Sequence, residues 1–301
     1  MAATPVTAEG ALAAQFRRKQ RHPALDVTIR VAKNPVGAVF GTVIIVLVLM
    51  AVLSYWITPY DPLQTSIETF QSPNWTHPFG TDDIGRDQYT RVVYGARPAL
   101  TIGILSVILG VGSGSVIGLV SGYLGGKVDL VVQRFVDGVV ALPSLVLILA
   151  LVSVLGPSLR NALFAIAIVS AAGVSRVIRG AVISVKQNVY IEAARTLGAT
   201  NMRLMFRHVL PNVVAPILIL ISSSLGSAVL LDASLSFLGL GTQPPTPSWG
   251  LMLSTSGRRY METAPYLAII PGLFISVTVL SFNMIGDTIR DILDPRLRGS
   301  R

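Results

Sequence analysis

The residues best suited to acid–base or metal chemistry are concentrated in one short polar segment. This segment contains His77, Asp82, Asp83, Arg86 and Asp87. An imidazole and several carboxylates so close together could transfer protons or bind a metal ion. Carboxylates beside an arginine more often pair locally, and Gly80 and Gly85 suit tight turns. We therefore expect a self-paired structural cap here rather than a reaction centre.

No other set of residues completes a catalytic or cofactor site. The three histidines, His22, His77 and His208, lie on separate segments, and the chain has no cysteine, which excludes disulfides and thiolate metal sites. The sequence has no glycine-rich phosphate-binding loop ending in Lys and Ser or Thr, so it cannot bind ATP in that manner. No serine lies in a nucleophile-elbow context. We predict no catalytic residue, no cofactor and no metal in this chain, which is therefore not an enzyme.

A basic segment between two apolar runs has the composition of a short ordered helix. Its notable residues are Glu192, Ala193, Ala194, Gly198, Leu210 and Pro211. Residues 190–198 are good helix formers that end at Gly198, a natural stop, and a second segment, Asn201–Val209, follows. Such a short surface helix can insert into a groove of a partner protein. A solvated basic loop has the same composition, so composition alone leaves both interpretations open.

The overall composition is that of a membrane protein. The chain has 301 residues, of which 51% are hydrophobic and only 13% are charged, and its mean hydropathy is +0.64. An ordinary soluble domain is about 25% charged, so a large soluble helical protein is excluded. The formal charge of +9 could suggest nucleic acid. We attribute it instead to basic residues gathered on one side of a membrane, and predict contact with lipid and not with nucleic acid.

Six uncharged runs predict six transmembrane helices. They are Pro35–Ile57, Pro98–Gly126, Gly138–Leu159, Asn161–Ser175, Val209–Leu231 and Thr263–Gly286. About 20 helical residues cross a hydrocarbon core of about 30 Å, so five runs are long enough. Asn161–Ser175 is short, and its helix must continue past Arg176 and Arg179. We expect these two arginines to lie at the inner boundary, with their stems snorkelling towards water.

The distribution of basic residues predicts the orientation. If the N-terminus is cytoplasmic, the inner segments hold 18 of the 24 Lys and Arg residues, so both termini and the Glu192 loop are inside. The predicted organisation is a cytoplasmic arm at 1–34, a first span at 35–57, an extracytoplasmic segment at 58–97, a five-helix core at 98–286 with a cytoplasmic loop at 186–211, and a cytoplasmic tail at 287–301. The arm lacks a signal-peptide cleavage site. Its residues Ala24 to Lys33 favour a short interfacial helix.

Four glycines repeat at intervals of four in the second run. They are Gly110, Gly114, Gly118 and Gly122, with Gly126 beyond. This spacing places them on one face of a helix, where missing side chains let another helix approach closely. The contact could be a seam of the transport core or ordinary helix packing, and both interpretations need the same geometry.

Two further residues lie near the outer end of the fifth run. Asp232 is an acid near the end of an apolar helix, which is costly unless it is paired or hydrated. It could face a translocation cavity as a pathway or gate residue, but we favour an acid in the outer interfacial water. Trp249 fits the interfacial aromatic belt.

Several motifs in order resemble one family of bacterial transport proteins. The spacing from Glu192-Ala193-Ala194 through Gly198 to Leu210-Pro211 resembles the EAA loop of ABC-importer permeases. The segments 77–97, 232–250 and 286–296 resemble those of the "C" permease subunits of dipeptide, oligopeptide and nickel importers. The resemblance runs from about Lys33 to Arg298, nearly the whole chain.

This resemblance implies an all-α integral membrane protein with the type I ABC-importer permease fold, in a bacterial inner membrane. It also implies a heterodimer with a homologous permease, one or two cytoplasmic ATPase subunits, and an extracytoplasmic substrate-binding protein. ATP and Mg would bind the ATPase subunits. The EAA residues would form the coupling helix that receives the movement of the ATPases.

The EAA loop also helps to distinguish between competing functions. Peptides are the expected substrate, while nickel-chelate or glutathione uptake by the same machinery remains open. A non-transporting scaffold would need no ATPase docking helix. A membrane-embedded enzyme would need an intramembrane catalytic set, and the sequence contains none.

Overall fold

The computed structural model describes residues 23–293, with side chains from Thr28 onward. Part of the predicted arm at 1–34 and the end of the predicted tail at 287–301 lie outside these residues. Regular structure within the described range is helical, apart from one antiparallel bridge between Thr81 and Asp87. The predicted all-α fold is confirmed.

The N-terminal region contains three helices. Helix α1 (Pro23–Lys33) occupies the stretch for which a short helix was predicted. Asn34 separates it from α2 (Pro35–Val52), and its side chain accepts hydrogen bonds from the amides of Val36 and Gly37 at 2.9 and 3.3 Å. A break at Leu53 then separates α2 from the short α3 (Ser54–Ile57). The predicted first span is therefore broken at Leu53, near its C-terminal end, rather than continuous.

Helix α4 (Gln88–Leu124) begins well before the predicted start at Pro98. Asp87 caps it by accepting a hydrogen bond from the amide of Thr90 at 2.7 Å. Residues 88–97 were not counted in the apolar run because they include Arg91 and Arg97. The predicted boundary between an extracytoplasmic segment ending at 97 and a core starting at 98 therefore falls inside one helix.

The third predicted span is broken. Helix α5 (Gly126–Val140) and helix α6 (Ser144–Leu155) meet at an angle of 90°. Pro143 precedes α6, and a proline cannot continue a preceding helix. The prediction of one continuous helix over Gly138–Leu159 was therefore wrong, because the chain bends within it between α5 and α6.

Helix α7 (Leu159–Lys186) continues past Arg176 and Arg179, as predicted. Both arginines form ion pairs. Arg179 donates two hydrogen bonds of 2.6 Å to Asp129, and Arg176 donates one of 2.6 Å to Asp137. Both acids lie on α5, so the third span supplies partners that hydropathy alone could not reveal.

The remaining helices complete the bundle. They are α8 (Val189–Thr196), α9 (Asn201–Arg203), α10 (Leu210–Phe237), α11 (Trp249–Met252) and α12 (Tyr266–Leu293). Wider π-helical turns at Leu204–Val209 and Leu253–Gly257 lead into α10 and follow α11. Five helical stretches of residues 23–293 are long and apolar enough to cross a membrane, or six if the bent pair α5–α6 is one span. Helix α12 continues seven residues beyond the predicted core end at 286.

The core lies along α4 and α7, which pack side by side. Helix α10 packs against both α12 and α4. The fully buried side chains of the core include Ile102, Ile148, Ile166, Ile178 and Leu235. This packing fixes the C-terminal end of α7, from which the EAA loop follows.

Candidate functional site

The EAA loop is an ordered helix with a tight turn after it. Helix α8 ends at Thr196 with Leu197 as its C-cap, and the amides of Gly198 and Ala199 donate to the carbonyls of Arg195 and Ala194 at 3.0 and 3.1 Å. Gly198 has a φ of +83°, in the left-handed region that favours glycine. A Cβ at this position would meet nothing within 4 Å, so a substitution there strains the backbone without a steric clash.

One side of α8 anchors the loop to the bundle. Ile191 is buried in the core together with Leu204 and Val209 from the following π-helical turn. Ala194 and Leu210 pack partly buried against the same cluster. The loop is therefore held in place by apolar contacts rather than free in solvent.

The other side of α8 is open and partly apolar. Glu192, Ala193 and Pro211 are exposed, as is Gly198. Leu197 is 89% exposed, and Val189 and Met202 also project outwards. Large apolar side chains held outward on a rigid helix are the features of a protein-binding surface.

Three residues that the sequence analysis missed tie this loop to the bundle. The hydroxyl of Tyr123, near the end of α4, donates to the side-chain oxygen of Asn201 at 3.1 Å. Lys186 donates to the backbone oxygen of Tyr123 at 2.6 Å. Tyr123 itself is buried. A tyrosine next to the Gly125–Gly126 turn was a visible signal, but its partners lie more than sixty residues away.

The four repeating glycines face α7 of the same chain. A Cβ added at Gly114 or Gly118 would lie 2.5 Å from the carbonyl oxygen of Ala171 or Ser175. Additions at Gly110 and Gly122 would come within 3.0 Å of α7 backbone oxygens. Real Cβ contacts are not this short, so α4 and α7 touch backbone to backbone here. Gly126 does not take part, because a Cβ there would meet nothing within 4 Å.

Asp232 lies inside the subunit and not in outer interfacial water. It is 3% exposed and accepts a hydrogen bond from Ser236 at 3.4 Å. The chain after α10 folds back over this helix end, and the amide of Thr242 donates to the hydroxyl of Ser236 at 3.1 Å. The sequence favoured an acid exposed to interfacial water, and this interpretation was wrong because the side chain is buried. A role for Asp232 as a pathway or gate residue stays a prediction.

Trp249 also differs from its expected place. It is 2% exposed, and its indole nitrogen donates to the carbonyl of Val92 at 2.8 Å. Its ring lies over Gly95, where a Cβ would be 2.8 Å from the indole carbon Cδ1. The residue joins α11 to α4 rather than belonging to an interfacial belt, because residues 239–250 fold inward.

The polar segment near His77 is a self-paired cap, as predicted. Its carboxylates each have a defined partner within the protein: Asp82 with Arg86 at 2.6 Å, Asp83 with Ser256 at 2.6 Å, and Asp87 with His77 at 2.8 Å. The contact of Asp83 with Ser256 joins the cap to the segment between α11 and α12. These carboxylates hold this end of the bundle together.

Comparison with known proteins places this geometry among transport permeases. Residues 114–299 match the family described as the binding-protein-dependent transport system inner membrane component. Residues 23–73 match the N-terminal transmembrane domain of oligopeptide transport permease C.

Individual relatives cover most of the chain. A dipeptide transport system permease protein of Alkalihalophilus pseudofirmus is 43% identical over 88% of this chain and 88% of its own length. One of Haemophilus influenzae is 41% identical over 87% and 91%. A glutathione transport system permease protein of Pectobacterium atrosepticum is 38% identical over 92% and 93%.

Two solved transporters share the fold. An inward-facing methionine ABC transporter aligns with a TM-score of 0.55 at 18% identity, over 67% of this chain and 96% of that chain. An amino acid ABC transporter aligns with a TM-score of 0.52 at 24% identity, over 68% and 95%. These likenesses support the helical arrangement of the core.

Proposed function

The chain belongs to the family of binding-protein-dependent transport system inner membrane components, and we propose that it forms half of the translocation pathway of an ATP-driven peptide importer. It is a multi-pass membrane protein and a transporter subunit rather than an enzyme. As an ABC-transporter permease it works with other subunits of that kind of transporter.

The observation that carries this proposal is the anchored helix α8 with its exposed apolar side. The buried Ile191 fixes the helix to the bundle, while Leu197 and Val189 project away from it. A partner ATPase with a hydrophobic groove would cover these side chains and remove their apolar surface from water. Glu192, Ala193, Ala194, Gly198, Leu210 and Pro211 are the proposed coupling residues.

The proposed partners are a homologous permease, one or two cytoplasmic ATPase subunits and an extracytoplasmic substrate-binding protein. ATP and Mg bind the ATPases, and this chain holds no cofactor. When the ATPases close on ATP, they displace α8. The displacement reaches α4 through the Tyr123–Asn201 hydrogen bond and reaches α10 through the continuous π-helical turn at Leu204–Val209.

Such a displacement shifts the transporter between states only if contacts differ between them. In the proposed cycle, the permease pair changes from inward-open to outward-open as the ATPases close. Peptide then enters from the binding protein. Opening of the ATPases returns the pair to the inward-open state, where peptide leaves into the cytoplasm.

The proposed location is a bacterial inner membrane with both termini in the cytoplasm. The support is the 18 of 24 basic residues that lie on, or close to, the cytoplasmic side of the membrane in this orientation. Helix α8 then faces the cytoplasm, where the ATPases are, and the cap around His77 faces the binding protein.

Two substrate classes are supported by relatives of similar identity. The dipeptide permeases are 43% and 41% identical, and the glutathione permease is 38% identical. Glutathione is itself a short peptide, so both fit one pathway. We propose dipeptides as the preferred substrates.

Reconstitution tests the proposal. The chain would be assembled with its partner permease and ATPases in proteoliposomes, and ATP-dependent uptake of a labelled dipeptide would be measured with its binding protein present. Unlabelled dipeptide, glutathione and a nickel chelate would compete in parallel. We expect dipeptide to compete best. No uptake of the labelled dipeptide, with ATPases bound and active, would refute the peptide-importer proposal.

A further inference from the structure

We propose that the ion pair between Asp137 and Arg176 lies in the wall of the water-filled translocation pathway and meets the charged ends of the peptide there. This inference rests on the proposed function and deepens it by assigning residues to the pathway. Arg176 on α7 donates a hydrogen bond of 2.6 Å to Asp137 near the end of α5.

The depth of Arg176 along α7 places the pair within the membrane. At about 1.5 Å per residue, this 28-residue helix is roughly 42 Å long, which exceeds a hydrocarbon core of about 30 Å. If the core begins near Asn161, just after Arg160, it ends about 20 residues later. Arg176 then lies in the inner third of the hydrocarbon thickness, well before the end of the helix at Lys186.

The pair is open on one side at this depth. The side chains of Arg176 and Asp137 are 50% and 51% exposed. Charged groups inside a membrane almost always face the protein interior or a water-filled cavity, because hydrocarbon cannot solvate them. The open side of this pair therefore needs water in front of it, unless the partner permease covers it.

The surface around the pair favours water. Gly173 and Gly180 lie on the same exposed face of α7 as Arg176, and a Cβ added at either would meet nothing within 4 Å. Towards the other end of the helix the exposed residues are Phe164 and Ile168, as expected for a lipid or protein contact. From Phe164 and Ile168 to Gly173 and Gly180 the exposed face loses its large side chains, apart from the half-exposed Val177.

A second ion pair keeps this wall rigid. Arg179 makes two hydrogen bonds to Asp129, and this pair is less exposed than the first. It holds α5 against α7 independently of Asp137 and Arg176. The more exposed pair is thus free to exchange partners without separation of the two helices.

The chemistry of the pair fits a zwitterionic peptide. Its guanidinium can bind a carboxylate, and its carboxylate can bind an ammonium group. Because the two charges balance each other, the wall offers polar contacts to both peptide ends without a net charge that would trap one of them.

The absence of cysteine from the chain permits a direct test. Asp137→Cys, Arg176→Cys and Gly173→Cys would each be assembled into the importer in lipid nanodiscs, which expose both membrane sides. Ile45→Cys is the control, since Ile45 is an exposed apolar residue of the first span. Each variant would be treated with a charged methanethiosulfonate reagent, and the rate of labelling would be measured.

We expect the three pathway cysteines to react roughly tenfold faster or more than Ile45→Cys, because a charged reagent partitions poorly into hydrocarbon. Gly173→Cys leaves the ion pair intact, so the test holds even if the other two variants fail to assemble. Rates no faster than the control would overturn the inference, since the face would then be covered by lipid or by the partner permease.

Dipeptide uptake by the unsubstituted importer separates this inference from the proposed function. An importer that takes up dipeptide while its three cysteines stay unreactive refutes only the assignment of the pathway wall. Reactive cysteines in an assembled complex that imports no peptide refute the proposed function on which the inference depends.

Discussion

The hydroxyl of Tyr123 and the side-chain oxygen of Asn201 are joined by a hydrogen bond of 3.1 Å across 78 residues of sequence. This bond links the end of α4 to the start of α9, which follows α8 within the EAA loop. Lys186 donates to the backbone oxygen of the same tyrosine, so Tyr123 contacts the segments on both sides of α8. A movement of α8 is thereby connected to the longest membrane helix of the subunit.

Removal of the Tyr123 hydroxyl should weaken this connection. Tyr123→Phe keeps the buried ring but removes a hydrogen bond that contributes about 1 kcal/mol. We expect normal assembly but weaker stimulation of ATP hydrolysis by the binding protein, with peptide uptake reduced in proportion. The control is Tyr55→Phe, since Tyr55 is mostly exposed on the first span. Equal stimulation in both variants would show that the bond takes no part in coupling.

Bulk on the glycine face should prevent folding of the subunit itself. Gly114→Leu and Gly118→Leu place side chains where a Cβ alone would lie 2.5 Å from an α7 carbonyl oxygen. Overpacking of this kind costs about 1–3 kcal/mol or more, and a backbone contact cannot relax easily. We expect loss of monodisperse protein and a lower Tm in detergent, before any effect on the partner permease.

Gly112→Leu is the matched control for the glycine face. Gly112 is exposed on the same helix, and an added Cβ would meet nothing within 4 Å. This variant should purify with a Tm close to that of the unsubstituted protein. Equal losses at Gly112 and Gly114 would show that the contact with α7 does not explain the effect, since leucine favours a helix more than glycine does.

The buried indole of Trp249 should contribute to stability through its hydrogen bond. Trp249→Phe removes the donor to the Val92 carbonyl and part of the contact over Gly95. A lost hydrogen bond and a smaller ring together should cost about 1–3 kcal/mol and lower the Tm by several degrees. Trp75→Phe should leave the Tm unchanged, because Trp75 is fully exposed. A Tm as low in the second variant would contradict this placement.

The sequence predicted the features that depend on local pattern. Helix α8 and its end at Gly198 followed from helix formers and a glycine, and the glycine face of α4 followed from its spacing. Continuation of α7 past Arg176 followed from the length that a span requires. In each case the signal lies within one helix or one turn.

Other features depend on contacts between distant segments. Hydropathy marks where a helix meets lipid and not where it begins, so the capped start of α4 at Gln88 was missed. The burial of Asp232 and Trp249 depends on the folding back of residues 239–250, and no periodic pattern in the sequence predicts this. Pro143 was visible in the sequence, but the 90° bend depends on how α5 and α6 pack against α7.

The proposed orientation can be tested with single cysteines, since the chain has none of its own. Ile67 lies in the proposed extracytoplasmic segment and Leu197 lies at the end of α8, and both are strongly exposed. An impermeant maleimide added to intact spheroplasts should label Ile67→Cys and not Leu197→Cys. Inside-out vesicles stripped of the ATPase subunits, which would otherwise cover Leu197, should reverse the result. Labelling of both from the same side would contradict the proposed topology.

The coupling proposal makes the most direct prediction. Glu192 lies in the first turn of α8, where a carboxylate favours the positive end of the helix dipole, and Gly198 has a φ of +83°. Glu192→Lys reverses the charge on the docking side, and Gly198→Asp strains the turn by about 1 kcal/mol or more. Both variants should remain in the membrane, but the ATPase should co-purify less well. Peptide uptake and stimulated ATP hydrolysis should fall together.

Gly239→Asp is the matched control for Gly198→Asp, because Gly239 has a φ of +78° and similar open space but follows the other end of α10. It should lose as much stability as Gly198→Asp and keep the ATPase bound. This comparison separates backbone strain from docking, since strain is common to both glycines and the docking surface includes only Gly198. If Glu192→Lys and Gly198→Asp transport normally with the ATPase attached, α8 is not the coupling element. If Gly239→Asp uncouples transport as well, the loss at Gly198 reflects a weakened subunit, and Glu192→Lys alone then tests whether the exposed side of α8 receives the movement of the ATPase.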